Sequence, residues 1–253
     1  MRDRIGMSRV CSIIFLIFLF LAETSPAAPS VSVLFVGNSL TQANDLPAVF
    51  KQFAAGTSSH LEIATRAITT GGALFYDHWK KGEAVAVLRE QRPNFLILQG
   101  QSTEPLVTPQ NFAYYARMLK AEADRVSATT VLLSTWARPV GDPYYKNPTS
   151  GGAPAEMQTR VSAAYASLAR DLGAILAPVG VAFERAHLNA PNIALLDGTQ
   201  HPSRAGTYLA AAMLFRALFR ISSVSSTYSD GLPKETAVTL QQVANEIPLV
   251  PAP

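Results

Sequence analysis

The stretch VSVLFVGNSLTQ, residues 31–42, decides the reading of the fold. Val31, Val33, Leu34, Phe35 and Val36 form a short apolar run that reads as a buried strand. Gly37 and Asn38 break the run, and Ser39 follows where the strand hands over to a helix. In an open α/β sheet this is the carboxyl end of a strand, where ligands bind. A helix N-terminus at that point favours developing negative charge. Ser39 therefore offers both a nucleophilic hydroxyl and an oxyanion-binding N–H. The plainer alternative is that it caps a helix.

Working outward, residues 61–68, 93–98, 130–135 and 174–179 read as four more strands. Helical patterns fill 45–55, 74–91 with a possible break at Gly82, 109–126, 155–172, 183–188, 205–219 and 233–246. Strands alternating with helices predict a parallel sheet with helices on both faces. All five strand ends then point the same way. Ser39, Gly71-Gly72, Gln99-Gly100-Gln101 and Trp136 lie just past strand ends and gather on one rim.

The chain has 253 residues, 48% of them hydrophobic, which suits one α/β domain with a sizeable core. The formal net charge is only +3 and no basic run is long enough to suggest nucleic acid. Arg2, Arg4 and Arg9 precede an apolar run over residues 10–22, and Ser25-Pro26-Ala27 offers small residues for a signal peptidase. Residues 1–27 are therefore expected to be a signal peptide. Residues 28–253 are expected to form a single domain with a C-terminal helical tail. The apolar run is short for a membrane span, so no stable anchor is expected after cleavage. The only cysteine, Cys11, leaves with the leader, so a thiol nucleophile or a disulfide is not expected. The expected location is periplasmic or secreted; the oligomeric state is open.

A serine becomes a useful nucleophile beside a base, and an imidazole oriented by a carboxylate is the usual solution. Of the four histidines, His201 is the strongest candidate. It stands in DGTQHPS, residues 197–203, with Asp197 four positions upstream and Pro202 stiffening its setting. The oxyanion needs two or three donors. Ser39 N–H is one and Gly72 N–H a second, because glycine lets the backbone approach a ligand. The third is a side-chain amide from Gln101 or Gln99, which are in phase on an extended chain. Asn38, His78 and Trp136 are candidate substrate-binding residues. His78 alternatively holds the turn by packing. Trp136, Tyr144 and Tyr145 either stack on a sugar or line an acyl pocket, or they pack their loop down. Asp45, Asp77 and Glu104 are carboxylates near the rim, without the opposed pair a glycosidase needs. No histidine and acidic cluster has metal-ligand spacing, so no metal and no cofactor are expected.

Residues 37–41 (GNSLT), the TGGAL turn at 70–74 and DGTQHPS at 197–203 together resemble the SGNH (GDSL-type) hydrolase superfamily, in its order along the chain. The Gly-Gly-x-Leu turn followed by His78-Trp79 is similar to that of bacterial secreted members. The resemblance implies a flavodoxin-like three-layer α/β/α sandwich with a five-stranded parallel sheet. It also implies ester hydrolysis by Ser39, His201 and Asp197. Two features depart from the family pattern. The third block reads QGQS at 99–102 in place of Gly-x-Asn, and the Asp–His spacing is four where three is usual. The expected function is a serine ester hydrolase acting on small or carbohydrate-linked acetyl esters. The alternatives are an exported non-catalytic carbohydrate-binding module on the same fold and a sugar O-acyltransferase.

Overall fold

A computed structural model describes residues 30–59 and 61–249. The expected signal peptide lies outside the described residues. Chain order runs β1 (Ser30–Gly37), α1 (Ser39–Gln42), α2 (Leu46–Ala55), β2 (Glu62–Thr69), α3 (Phe75–Lys81), α4 (Glu83–Gln91), β3 (Phe95–Leu98), α5 (Glu104–Val107), α6 (Pro109–Arg125) and β4 (Thr129–Leu133). It continues with α7 (Pro154–Leu172), β5 (Ile175–Ala177), α8 (Val179–Asn189), α9 (Arg204–Phe219) and α10 (Lys234–Glu246). The sheet order is β2-β1-β3-β4-β5, and every pairing is parallel.

Strand side chains alternate between two cores, as the pleat requires. Val33, Phe35, Ile97, Val131 and Leu133 join α2, α8, α9 and α10 on one face. Leu34, Val36, Leu96, Leu98 and Leu132 join α3, α4, α6 and α7 on the other. The molecule is thus a three-layer α/β/α sandwich. Phe50, Phe53 and Phe215 have no exposed surface, and burying each contributes about 1.5–3 kcal/mol. Order changes direction at β1, which has β2 on one side and β3 on the other. Ligands of such sheets bind at that switch point, beyond the strand carboxyl ends.

The possible break at Gly82 is realised: its φ of +74° ends α3. Two local differences from the sequence reading have physical causes. The fifth strand stops at Ala177, because Pro178 follows and α8 already begins at Val179. The C-terminal helix is not a loose tail. Ala237, Leu240, Val243 and Ala244 of α10 are buried in the α9 core. The Arg216 guanidinium of α9 also donates to the Ala244 and Ile247 carbonyls at 2.7 and 2.6 Å, satisfying the C-terminal end of α10.

Candidate active site

The turn that carries Ser39 is assembled from buried polar groups. Asn38 caps α1, its Oδ1 accepting the Leu40 N–H at 3.1 Å. Its Nδ2 donates to the Ala73 carbonyl at 3.2 Å, tying this turn to the Gly-Gly turn. Gln99 Oε1 accepts the Asn38 N–H at 3.1 Å and the Thr41 hydroxyl at 2.8 Å, while Nε2 donates to the Gly100 carbonyl. His78 lies beneath, with Nε2 at 2.8 Å from the Gly37 carbonyl. The Gly37 carbonyl can only accept, so Nε2–H is the donor, and burial holds the His78 pKa below its ordinary value. Gly37 is where these groups converge. A Cβ there would lie 2.6 Å from Thr41 Oγ1 and 2.7 Å from Gln99 Oε1, closer than atoms can pack.

The result places Ser39 at the first turn of α1 with its hydroxyl free to face outward. Its Oγ lies 2.9 Å from His201 Nε2. His201 arrives on a loop closed by an antiparallel bridge between Leu196 and Pro202 and by the Asp197 N–H donating to the His201 carbonyl at 3.1 Å. Two anchors hold this loop from outside. Trp136 Nε1 donates to the Gln200 carbonyl at 3.0 Å, and Asn44 Nδ2 donates to the Pro202 carbonyl at 2.9 Å. Asn44 belongs to the segment just after α1, so the Ser39 turn and the His201 loop are joined through it.

Inside the loop, the hydroxyl of Thr199 stands between carboxylate and imidazole. Thr199 Oγ1 donates to Asp197 Oδ1 at 2.6 Å and lies 3.0 Å from His201 Nδ1. The Asp197 carboxyl is held below its usual range, first by the Thr199 hydroxyl and then by the Thr199 N–H. No hydrogen bond joins Asp197 to the His201 ring among the described residues, so the expected direct Asp–His pair is corrected. With three residues between them, the loop interposes Thr199.

Opposite Ser39 lies the Gly-Gly turn, closed by the Ala73 N–H donating to the Thr70 carbonyl at 3.1 Å. Gly72 takes φ +69°, which other residues adopt only with strain. The Ser39 and Gly72 N–H groups meet no protein acceptor among the described residues. Gln101 completes the wall. Its Oε1 accepts the N–H and hydroxyl of Thr103 at 2.7 and 2.9 Å and the Glu104 N–H at 3.1 Å. Three donors on one oxygen fix the amide orientation and leave Nε2 as its donor end. Glu104 is buried behind this wall. It accepts the Phe75 N–H through Oε1 and the Gln101 N–H through Oε2, both at 3.1 Å. Burial pushes its pKa up to about 7, against those two hydrogen bonds and with help from the Asp77 charge.

Asn38, Ser39, Leu40, Gly72, Gln101, Ser102, Gln200 and His201 line one cavity of about 190 Å³. The fold thus brings Ser39, Gly72, Gln101 and His201 together from four separate segments. Four other expectations are corrected. Gln99 is buried under the nucleophile turn and is not an oxyanion donor, because its amide is spent on Asn38, Thr41 and Gly100. Asn38 borders the cavity, but both ends of its amide hold protein backbone. His78 binds the Gly37 carbonyl. Trp136 is buried and stacked on Phe183 at 4.2 Å between ring centres, facing the core. Tyr144 and Tyr145 likewise pack their loop, bonding to Thr149 and to the Arg138 carbonyl. The reading of the sequence passed over Thr199, Asn44 and Ser102, and saw Glu104 only as a rim carboxylate. Thr199 carried one signal, its place two residues from both Asp197 and His201.

No protein-family model matches the chain, and no curated protein matches it. Solved structures do. The chain is similar to a DUF4886 family protein from Bacteroides uniformis, with TM-score 0.72 and 17% identity over 86% of this chain and 94% of that one. It is similar to a protein from Slackia heliotrinireducens assigned as an SGNH hydrolase, with TM-score 0.62 and 29% identity over 75% of this chain and 100% of that one. It is also similar to the acetyl xylan esterase AlAXEase, with TM-score 0.58 and 17% identity over 75% and 100%. The fold is therefore that of SGNH-type hydrolases, acetyl xylan esterases among them.

Proposed function

We propose that the protein is a serine ester hydrolase acting on small or carbohydrate-linked acetyl esters through an acyl-enzyme. The single observation that carries this is the 2.9 Å approach of His201 Nε2 to Ser39 Oγ, two groups 162 positions apart in sequence. It favours catalysis over a binding module on the same fold, which has no need of that contact. His201 takes the Ser39 proton as Oγ attacks the ester carbonyl. The tetrahedral oxyanion is received by the N–H groups of Ser39 and Gly72 and by Gln101 Nε2. His201 then gives the proton to the leaving alcohol. In the second half a water loses a proton to His201 and attacks the acyl carbonyl, and His201 returns the proton to Ser39 Oγ as the acyl bond breaks and the acid leaves.

A cavity of about 190 Å³ whose lining is mixed, apolar at Leu40 and polar at Ser102, Gln101 and Gln200, supports a short acyl group on a polar alcohol. The acetyl xylan esterase likeness supports the same substrate class. Within this reading residues 1–27 direct export, and the mature chain from residue 28 meets its substrate in the periplasm or outside the cell. N-terminal sequencing of the protein made in a bacterial host checks the cleavage. For the chemistry, Ser39→Ala is expected to abolish p-nitrophenyl acetate hydrolysis while leaving Tm within a degree or two. Turnover that survives the substitution removes Ser39 from the reaction. Acetylated sugars are expected to be cleaved at least tenfold faster than esters of eight carbons or more, because a cavity of about 190 Å³ is small for a long acyl chain.

A further inference from the structure

We propose that Thr199 is a positioning residue for the reaction, holding His201 in place of a direct carboxylate–imidazole bond. The inference rests on the esterase reading of the same site. Thr199 Oγ1 has three partners: Asp197 Oδ1 at 2.6 Å, His201 Nδ1 at 3.0 Å and the His201 backbone N–H at 3.1 Å. A hydroxyl has one proton and two lone pairs, so this set exhausts it. The carboxylate of Asp197 can only accept, so the hydroxyl proton points to it. Both lone pairs then face His201, one toward the backbone N–H and the other toward the ring. The ring must therefore carry its hydrogen on Nδ1. Nε2 is left with its lone pair toward Ser39, 2.9 Å away, which is the form a general base requires.

Tautomer and ring orientation, the two services an aspartate renders in a directly bonded triad, are thus supplied by Thr199. Asp197 acts one bond further out. It fixes the hydroxyl proton and accepts the Thr199 N–H at 2.9 Å, which holds the loop in its turn. Its side chain is exposed, so water screens its charge from the imidazolium that forms. The division of labour is then testable. An asparagine at position 197 still presents an oxygen to the Thr199 hydroxyl. A valine at position 199 presents nothing to either partner.

Four proteins decide it: the unmodified chain, Thr199→Val, Thr199→Ser and Asp197→Asn, each assayed on p-nitrophenyl acetate and by the rate of fluorophosphonate labelling at Ser39. Thr199→Val is expected to lower kcat about 100-fold with KM changed less than about twofold, within the range a misplaced acid–base group costs. Thr199→Ser is expected to restore kcat to within about threefold of the unmodified protein, since the hydroxyl returns. Asp197→Asn is expected to cost only about tenfold, against roughly 10⁴ where aspartate bonds the imidazole directly. Thr199 is exposed, so folding is not at stake, and Tm measured on each variant checks this. An Asp197→Asn loss near 10⁴-fold beside an unaffected Thr199→Val overturns the proposal. So does a Thr199→Ser variant as impaired as the valine. If Ser39 of the unmodified protein takes no label and hydrolyses no ester, the esterase reading itself falls. If it labels normally and Thr199→Val labels at the same rate, only the role of Thr199 falls.

Discussion

Ser39 rises from a turn whose neighbours Asn38, Thr41 and Gln99 are all buried, whereas His201 sits on a loop whose Asp197, Gly198 and Thr199 are all exposed. On the first side the hydrogen bonds cross between β1, the end of β3, the Gly-Gly turn and α3. On the second, most run within five consecutive residues, with Trp136 and Asn44 as outside anchors. The contrast follows what each side has to do. In the proposed reaction the oxyanion donors work by being fixed before charge develops, and the buried side chains of Asn38, Thr41 and Gln99 behind Ser39 supply that fixity. In the same proposal His201 moves a proton and needs only one orientation of one ring, which a short exposed turn can supply. The energetic consequence is an asymmetry. A buried group that loses its partner costs about 1–3 kcal/mol, while an exposed one turns to water.

The strongest way to break the comparison is at Gly37. Glycine there is forced by close approach, with Thr41 Oγ1 and Gln99 Oε1 each under 3 Å from where a Cβ would stand. Gly37→Ala must push apart the groups that seat Asn38 and therefore Ser39. A displacement of about 1 Å at the nucleophile costs on the order of 10² in kcat. Overpacking adds a stability loss of about 1–3 kcal/mol. Steady-state kinetics and urea unfolding measure the two together. An alanine variant with unimpaired kcat would mean the nucleophile turn is as adjustable as the histidine loop.

The same contrast explains what could be read from the sequence. The central strands β1, β3 and β4 were legible because each is a short apolar run with both faces buried, and the edge strand β2 because its apolar residues alternate, with Ile63 and Ile68 buried. Val33 and Phe35 face one core, Leu34 and Val36 the other, and no competing pattern intrudes. Ser39 and His201 were legible because few residue types do their chemistry and both stand at strand or helix ends. The roles of Gln99, Asn38, His78 and Trp136 were not. A polar side chain near a strand end looks the same in sequence whether it faces substrate or props the wall behind it. The phase argument for Gln99 and Gln101 failed because β3 ends at Leu98. Beyond that point the chain is no longer pleated, and the two amides go to different neighbours. Asp45 and Asp77, noted as rim carboxylates, turn out to cap α2 and α3.

Glu104 sharpens the comparison by giving the buried side a proton dependence. It joins the loop after β3 to the start of α3 through two backbone N–H groups, and its pKa stands near 7 in the fold against 4.5 as the ordinary value. Between those values the folded state binds more protons than the unfolded one, so stability falls as pH rises. The contribution is intact below about pH 4.5 and is lost by the time pH passes 7. The expected size is on the order of 3 kcal/mol, about 1.4 for each pH unit of displacement. Glu104→Gln cannot titrate, but it turns one amide N–H toward a backbone N–H, so it starts less stable. Urea unfolding of both proteins at pH 5 and pH 8 is expected to show the gap between them narrowing by that amount. A gap that widens with pH would mean the carboxylate is stabilised as an anion and its hydrogen bonds outweigh its burial.

Trp136→Phe asks the complementary question of the histidine loop and carries the smallest expected effect. Phenylalanine keeps an aromatic ring against Phe183 but loses the Nε1–H bond to the Gln200 carbonyl. Gln200 is only partly buried, so its carbonyl can turn to water, and the stability loss is expected to stay near 1 kcal/mol. The loop keeps its bridge between Leu196 and Pro202 and its tie to Asn44. His201 therefore wanders without leaving Ser39. A kcat reduced about three- to fivefold, with KM unchanged, corresponds to roughly 0.7–1 kcal/mol of lost orientation. If Trp136→Phe instead matched Gly37→Ala in its effect on kcat, the base would be held as rigidly as the nucleophile. The proton acceptor would then depend on the indole as strictly as the oxyanion donors depend on Gln99.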